Sequence, residues 1–272
     1  MLAAAVLPFL LLAPKPFSIV KPTLHQYEDG PPMAASAAFH TGESVFVSFR
    51  VAGFQVSPDQ DVHLTYRFEA LDPQGVPLAV PAEGEVKTKL SEEDKEWMPL
   101  VWQSFEIPPL AFGGIYRIAV VVADKLNPRE AKIEIPVTVR GRQVEPSETL
   151  VARNARFLRD EEGNVVLQPP IYRPGEAVWM RFDITGYKFG EKNRMKVAYG
   201  FSIVSPEGKT MFTQAEAAVE QGESFYPKKY VPGIFSVNLN DKVRPGVYTI
   251  VLTLRDEVGG QATESKHEFT VQ

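Results

Sequence analysis

Apolar and polar residues alternate along short segments of this chain, with a period of two. In SVFVSFRVA (Ser44–Ala52), every second residue from Val45 to Val51 is apolar. A period of two places alternate side chains on opposite faces of a strand, so this segment predicts a half-buried β-strand. The same alternation predicts strands at Val62–Phe68, Tyr116–Val122, Lys132–Val139, Val178–Ile184, Tyr248–Leu254 and Lys266–Val271. The best candidate for a short helical turn is Ser91–Trp97, where Ser91 and Asp94 have capping-box spacing.

The chain contains two copies of one sequence unit. At an offset of 133 residues, GESVFVSFRVAGF, which begins at Gly42, aligns with GEAVWMRFDITGY, which begins at Gly175. After a single-residue change in that offset, GIYRI at Gly114 aligns with GVYTI at Gly246. Repetition at a nearly constant spacing over so long a stretch indicates an internal duplication.

Two segments resemble known β-sandwich families. PGVYTIVLTLRDEVGG (Pro245–Gly260) resembles the penultimate strand of bacterial immunoglobulin-like modules, and FGGIYRIAVVVAD (Phe112–Asp124) is its looser first copy. This resemblance implies a tyrosine corner at Tyr248, with the ring in the core and the hydroxyl bonded to nearby backbone. YRPGEAVWMRFDI, from Tyr172, is similar to the macroglobulin-type sandwich of bacterial α2-macroglobulins. The resemblances imply a fold and carry over no activity and no functional residue.

Short strands separated by turn residues at intervals of about 8–12 residues are typical of antiparallel sandwiches. We therefore predict an all-β fold of two tandem immunoglobulin-like antiparallel β-sandwiches that arise from an internal duplication. The predicted boundaries are 1–17 for a signal-peptide-like segment, 18–139 for the first domain, 140–149 for a linker and 150–272 for the second domain. The linker RGRQVEPSET is polar and contains proline, and hairpins at Glu28–Gly30 and Asp160–Asn164 open the two copies.

The N-terminus predicts export. Leu2–Ala13 is an uncharged apolar run that suits the core of a signal peptide and is shorter than the roughly 20 residues that span a bilayer. We expect cleavage between Ala13 and Ser18 and a periplasmic, cell-surface or secreted chain that does not span the membrane; a buried N-terminal segment is the alternative. The chain contains no cysteine, which excludes disulfides, thiolate nucleophiles and Cys-ligated metals.

Charge and motifs argue against several classes of function. A net charge of −5 and a pI near 5.5 disfavour a nucleic-acid partner, which needs a basic surface. The four histidines are scattered, and neither a nucleophile elbow nor a phosphate-binding loop is present. We therefore predict no catalytic residue, no metal site and no cofactor. Acidic clusters at Glu92–Glu96 and Asp160–Glu162 leave calcium binding or acid–base chemistry as alternatives to simple solvation. Glu43 and Glu176, each after a glycine, are expected to accept backbone N–H groups at strand entry.

Aromatic residues supply the candidate binding surface. Phe46 and Trp179 occupy equivalent positions on the strand face opposite the apolar row. FYPKKYVPG (Phe225–Gly233) places two tyrosines beside two lysines, and two tryptophans lie in the corresponding region of the first copy. Flat aromatics beside polar groups stack on sugars or anchor protein interfaces; the alternative is that they close the sandwich edges. The candidate residues are Phe46, Trp179, Trp97, Trp102, Tyr226, Lys228, Lys229 and Tyr230.

These observations favour a non-enzymatic exported protein that mediates protein–protein contacts in the cell envelope. The alternative is a carbohydrate- or cell-wall-binding module that uses the Tyr226–Tyr230 and Trp97–Trp102 regions. A hydrolase is the third hypothesis.

Overall fold

In the computed structural model, the described residues are 16–34, 36–91, 93–94, 96–163 and 165–272. The predicted signal-peptide-like segment therefore lies outside them except for its last two residues. The chain divides into two compact units. Unit 1 comprises the described part of Met1–Phe39 with Glu43–Ile107 and Ile115–Thr138, and unit 2 comprises His40–Gly42, Pro108–Gly114 and Val139–Gln272.

The first sandwich contains eight strands in two sheets. They are β1 (Ser18–His25), β2 (Ala38–His40), β3 (Ser44–Ala52), β4 (Asp61–Leu71), β5 (Ala82–Lys89), β6 (Leu100–Glu106), β7 (Gly114–Asp124) and β8 (Arg129–Arg140). One sheet has three strands in the order β1-β3-β6, and the other has five in the order β2-β8-β7-β4-β5.

The second sandwich repeats this arrangement strand for strand. Its strands are β9 (Val151–Leu158), β10 (Ile171–Tyr172), β11 (Ala177–Thr185), β12 (Met195–Val204), β13 (Thr210–Gly222), β14 (Val231–Asn238), β15 (Gly246–Asp256) and β16 (Gln261–Val271). The sheet orders are β9-β11-β14 and β10-β16-β15-β12-β13. The prediction of two tandem immunoglobulin-like sandwiches is confirmed. Within the second sandwich, the two-residue strand β10 pairs with β16 in parallel.

The duplication extends to the register and its irregularities. Ser18 faces Ala52 across β1 and β3, and the equivalent Val151 faces Thr185 across β9 and β11. A register shift interrupts both the β1–β3 pairing and the β9–β11 pairing. Lys21 lies in the first with a φ of 53°, and its equivalent Asn154 has a φ of 51°. A bulge bends its strand and changes the direction of the side chains. Its presence at the same place in both copies indicates that the fold requires it.

The inward rows form the two cores as the alternation predicted. Val45, Val47 and Phe49 are completely buried in the first sandwich, as are Val178 and Phe182 in the second. Phe49 packs edge-on against Tyr66 at a ring distance of 6.3 Å, and the equivalent Phe182 and Tyr199 are 5.1 Å apart. Edge-to-face packing adds to the area that these rings bury.

A buried aspartate at the end of β7 ties three parts of the first sandwich together. Asp124 is 1% exposed. Its carboxylate accepts the backbone N–H of Gln55 at 2.8 Å and that of Leu126 at 3.1 Å, and it pairs with Arg129 at 3.2 Å. Arg129 also donates to the carbonyl of Gly53 at 2.7 Å. A buried carboxylate is stable only with such donors, and here they come from the loop after β3, the turn after β7 and the start of β8.

The second sandwich contains the same arrangement around Asp256, which is 2% exposed. Its carboxylate accepts the backbone N–H groups of Lys188 at 2.8 Å and Gly259 at 2.9 Å. Gln261 replaces the arginine, donating to Asp256 at 3.0 Å and to the carbonyl of Gly186 at 3.1 Å. In both copies the carboxylate thus holds the segment that follows the central strand of the smaller sheet. We call this the Gly-aromatic segment; it begins with Gly53 and Phe54 in the first copy and with Gly186 and Tyr187 in the second.

Three smaller predictions are borne out. The Tyr248 hydroxyl donates to the carbonyl of Arg244 at 3.0 Å, which is the tyrosine corner. The Glu176 carboxylate accepts the backbone N–H of Arg173 at 2.9 Å at the entry to β11. The Asp94 carboxylate accepts the Ser91 N–H at 2.9 Å, as the capping spacing predicted, but the described residues of Ser91–Trp97 form no helix. Over the described residues, no helix is long and apolar enough to cross a membrane.

The stretch predicted as a linker contacts the second sandwich. Arg142 donates to the carboxylate of Asp183, which is 2% exposed and also accepts the Asn154 amide at 2.9 Å. The ammonium of Lys188 donates to the carbonyl of Glu148 at 2.7 Å. Asp183 therefore gains the partners that its burial requires, one of them from the stretch 140–149.

We expect Asp256→Ala to lower the free energy of unfolding of the second sandwich by about 3 kcal/mol, because three or more donors lose their buried acceptor at once. Urea denaturation followed by Trp179 fluorescence in a Trp97→Phe, Trp102→Phe background measures this sandwich selectively. The exposed Glu268→Ala is the control, with an expected change within about 0.5 kcal/mol. A loss for Asp256→Ala no larger than the control's would contradict the role of the carboxylate.

Candidate functional site

Phe46 and Trp179 lie on the outer faces of the three-stranded sheets, as the alternation of apolar and polar residues predicted. Both are half-buried. In each copy, the hairpin after the first strand folds back beside these residues. Pro32 bridges His25, the direct neighbour of Phe46, and Val166 bridges Leu158, the direct neighbour of Trp179. The equivalent positions therefore have the same local surroundings.

Trp102 packs on His25 within the outer face of the β1-β3-β6 sheet, with ring centres 4.3 Å apart. His25 is 7% exposed, and its Nδ1 donates to the carbonyl of Gly30 at 2.8 Å. Its Nε2 therefore accepts the Ser48 hydroxyl, also at 2.8 Å. Since Trp102 and Ser48 are direct cross-strand neighbours, this tryptophan takes part in fastening the hairpin to the sheet.

Trp97 lines a cleft of about 620 Å³ at the end of the first sandwich. Its ring is edge-on to Phe54, with centres 5.9 Å apart, and both rings are half-buried. The described lining residues are Ala52, Gly53, Phe54, Val56, Ser57, Gln60, Leu90, Ser91, Asp94, Glu96, Trp97 and Met98. The sequence offered Trp97 as a candidate but gave no reason to join it to Phe54, which is distant along the chain.

Hydrogen bonds fix both walls of this cleft. Asp124 holds the backbone of Gln55, next to Phe54. On the opposite wall, Trp97 N–H donates to the carbonyl of Asp94 at 2.9 Å, and Arg50 donates to the carbonyl of Met98 at 2.9 Å. The hydrogen bonds from Ser91 lower the pKa of the Asp94 carboxyl below its usual value. The cleft thus presents a carboxylate beside two fixed aromatic rings.

The segment that carries Tyr226, Lys228, Lys229 and Tyr230 is an anchored loop of the second sandwich. Tyr226 and Tyr230 are 6% and 5% exposed, so their ring faces are covered. Lys229 lies 5.2 Å from the centre of the Tyr226 ring, and Arg142 lies 5.9 Å from that of Tyr230. Lys228 pairs with Glu220 at 2.6 Å, and its carbonyl accepts the Tyr187 hydroxyl at 2.7 Å. In this conformation the segment fits the structural alternative, in which aromatics close the sandwich.

Another exposed feature was missed by sequence reasoning. Strand β13 is the outermost strand of its sheet and is exposed along most of its length. Met211 is 61% exposed and Phe212 is 44% exposed. The Phe212 ring lies 5.8 Å from buried Phe201, so the exposed patch continues the core. A strand exposed on both faces shows no clear alternation, which is why the pattern did not reveal it.

Among the described residues, no group of three or more His, Asp or Glu side chains is placed to hold a metal ion. No protein-family model matches the chain, and no curated protein matches its sequence.

The chain is similar in fold to several solved structures. The C-terminal domain of the Streptococcus pyogenes antigen I/II-family protein AspA is 10% identical, with a TM-score of 0.34 over 94% of this chain and 99% of that one. The C-terminal domain of the Streptococcus agalactiae AgI/II polypeptide BspA is 8% identical, with a TM-score of 0.32 over 94% and 100%. Red sea bream transglutaminase is 9% identical, with a TM-score of 0.27 over 96% and 32%. This likeness concerns the fold alone and assigns no function.

Alkaline pH should weaken the second sandwich. Burial raises the pKa of Tyr172 to about 12, and it also raises the pKa of Tyr199. A folded pKa above the unfolded value of about 10 gives stability that is fully present below pH 10 and is lost as the pH rises towards 12. We expect the urea midpoint, read from Trp179, to fall across this interval and to fall less steeply in Tyr172→Phe. The exposed Tyr27→Phe is the control, and a midpoint that stays constant with pH would contradict this prediction.

Proposed function

We propose that this chain is an exported, non-enzymatic binding protein that contacts other proteins through the edge of its second sandwich. The apolar run Leu2–Ala13 supports export, and the sequence contains no cysteine, nucleophile elbow or phosphate loop. The observation that carries the proposal is β13, an outermost strand with exposed apolar side chains.

An outermost strand presents unpaired backbone N–H and C=O groups, and an incoming extended segment adds to the sheet by pairing with them. Proteins usually block such edges with short strands, lysines or prolines. The equivalent β5 has 8 residues and contains Lys87 and Lys89. In contrast, β13 has 13 residues, and its sequence TMFTQAEAAVEQG contains no Lys, Arg or Pro.

A bulge limits where the partner docks. Gly200 of β12 faces the Ala215 backbone so closely that an added Cβ would lie 2.2 Å from the Ala215 carbonyl oxygen. The β12–β13 register shifts here and again between Thr210 and Phe212, so the ladder that includes Phe212 and Gln214 is separate from the ladder that contains Ala218. We place the docking segment at Thr210–Gln214, which contains the exposed Met211 and Phe212.

Charge defines the partner's chemistry. The acidic residues of β13 are Glu216 and Glu220, which pair with Arg255 at 3.1 Å and with Lys228 at 2.6 Å. Surface ion pairs of this kind contribute about 0–1 kcal/mol, so a partner's cation replaces them at little cost. The segment that fits pairs its apolar residues with Thr210–Gln214 and places Lys or Arg past the bulge, towards Glu216.

Fluorescence polarisation with labelled peptides that join a segment of Val and Ile to Lys at one end tests the proposal. We expect saturable binding that weakens by about tenfold or more, equivalent to about 1.4 kcal/mol, when alternate peptide nitrogens of the probe are methylated. Phe212→Lys should weaken binding to the same extent, because it places a charge on the docking segment. Thr88→Lys on β5 is the matched control and should have no effect.

Two outcomes would overturn this assignment. Equal binding of the methylated and unmethylated peptides would exclude strand pairing, and so would an unaltered affinity of Phe212→Lys. Analytical ultracentrifugation distinguishes the remaining occupant, because a dimer that Phe212→Lys dissociates would show that β13 pairs with a second copy of this chain. Since the chain lacks cysteine, a photo-crosslinker on Met211→Cys maps the contact to one residue.

A further inference from the structure

We infer that the cleft between Phe54 and Trp97 binds a small organic cation, such as a quaternary ammonium group or the charged end of a basic side chain. The cleft belongs to the first sandwich and is separate from the β13 edge. Its volume of about 620 Å³ is within the range of small-molecule sites, which are about 300–1,000 Å³.

The charge of the described lining residues favours a cation. Asp94 and Glu96 contribute two carboxylates, and the described lining residues include no Lys, Arg or His. Asp94 is ionised at neutral pH, and the hydrogen bonds from Ser91 lower its pKa further below the usual value. A neutral ligand gains less from these carboxylates, and an anion would be repelled by them.

The aromatic pair supplies the second attraction. A cation within about 6 Å of an indole or phenyl face is attracted by the ring quadrupole, and the attraction grows as the cation is desolvated. Trp97 and Phe54 are perpendicular, with an interplanar angle of 82°. Two rings at a right angle form a corner that surrounds a cation with methyl or methylene groups on two sides. Val56, Leu90 and Met98 provide further apolar contact around it.

The site is built before a ligand arrives. Asp124 holds the Gln55 backbone next to Phe54, and Asp94 holds the Trp97 backbone. Binding therefore costs the protein little conformational entropy, which favours binding of a small group.

The second sandwich shows that this cleft is particular to the first. Tyr187 occupies the position equivalent to Phe54, but it is 6% exposed, and its hydroxyl is bonded to the Lys228 carbonyl. A cleft of about 510 Å³ there is lined by Lys192, Asn193, Glu223, Ser224 and Phe225, without Tyr187. Its lining includes a lysine beside a single aromatic ring, so the same fold offers a natural control site.

Choline and its neutral carbon isostere, 3,3-dimethylbutan-1-ol, test the inference directly. Titration of the full chain, followed by Trp fluorescence in a Trp102→Phe, Trp179→Phe background and by calorimetry, should give saturable choline binding. We expect the isostere to bind at least about tenfold more weakly, and Trp97→Leu and Phe54→Leu to weaken choline binding by a similar factor. Phe225→Leu, in the cleft of the second sandwich, should leave it unaltered. Thermal unfolding of each variant verifies that the fold is kept.

Additional probes identify the source of the cation, and some of their outcomes would contradict the inference. Nα-acetyl-lysine amide and Nα-acetyl-arginine amide distinguish a basic peptide from a free quaternary ammonium, and either result supports a cation site. Equal binding of choline and its isostere would reduce the cleft to an apolar surface. Saturation by neutral oligosaccharides but not by choline would assign a carbohydrate site instead, and failure of all probes would remove the site altogether.

Discussion

Each sandwich depends on a buried carboxylate, at the end of β7 in the first and at the end of β15 in the second. Asp124 and Asp256 are almost completely buried, and each accepts backbone N–H groups from two separate segments. Burial of an ionised group costs several kcal/mol unless donors surround it, so the loops must adopt the conformations that supply those donors. The carboxylate therefore does more than stabilise: it dictates the path of the Gly-aromatic segment after β3 and β11.

This shared constraint leaves the two copies free to differ in what the segment carries. In the first sandwich, the aromatic residue is Phe54, which forms one wall of an open cleft with Trp97. In the second it is Tyr187, which is buried and whose hydroxyl bonds to the loop that carries Tyr226 and Tyr230. The sheet edges also differ, because β5 is short and carries lysines, whereas β13 is longer and carries exposed apolar residues but no lysine. One scaffold thus offers two unlike surfaces.

The sequence was sufficient to predict strands that bury one face, because their apolar residues recur at every second position. The inward rows around Phe49 and Phe182 predicted their strands, and the repeat spacing predicted two sandwiches. The equivalence of Asp124 and Asp256 was visible, but their role was not, because the donors come from segments distant in sequence. Edge strands such as β13 are solvated on both faces and show no clear alternation. The burial of Tyr226 and Tyr230 depends on what packs over a loop, which local composition does not encode.

Hydrogen exchange at the Lys188 backbone amide tests the central role of the buried carboxylate most directly. This N–H donates to Asp256 rather than to a strand neighbour, so its protection reports on the carboxylate itself. In Asp256→Ala, which removes both acceptor oxygens, the account predicts that exchange at Lys188 and Gly259 accelerates more than exchange at amides of the β12–β15 ladder such as Leu252. Unaltered exchange at Lys188 would show that the loop is held by other contacts and would contradict the account.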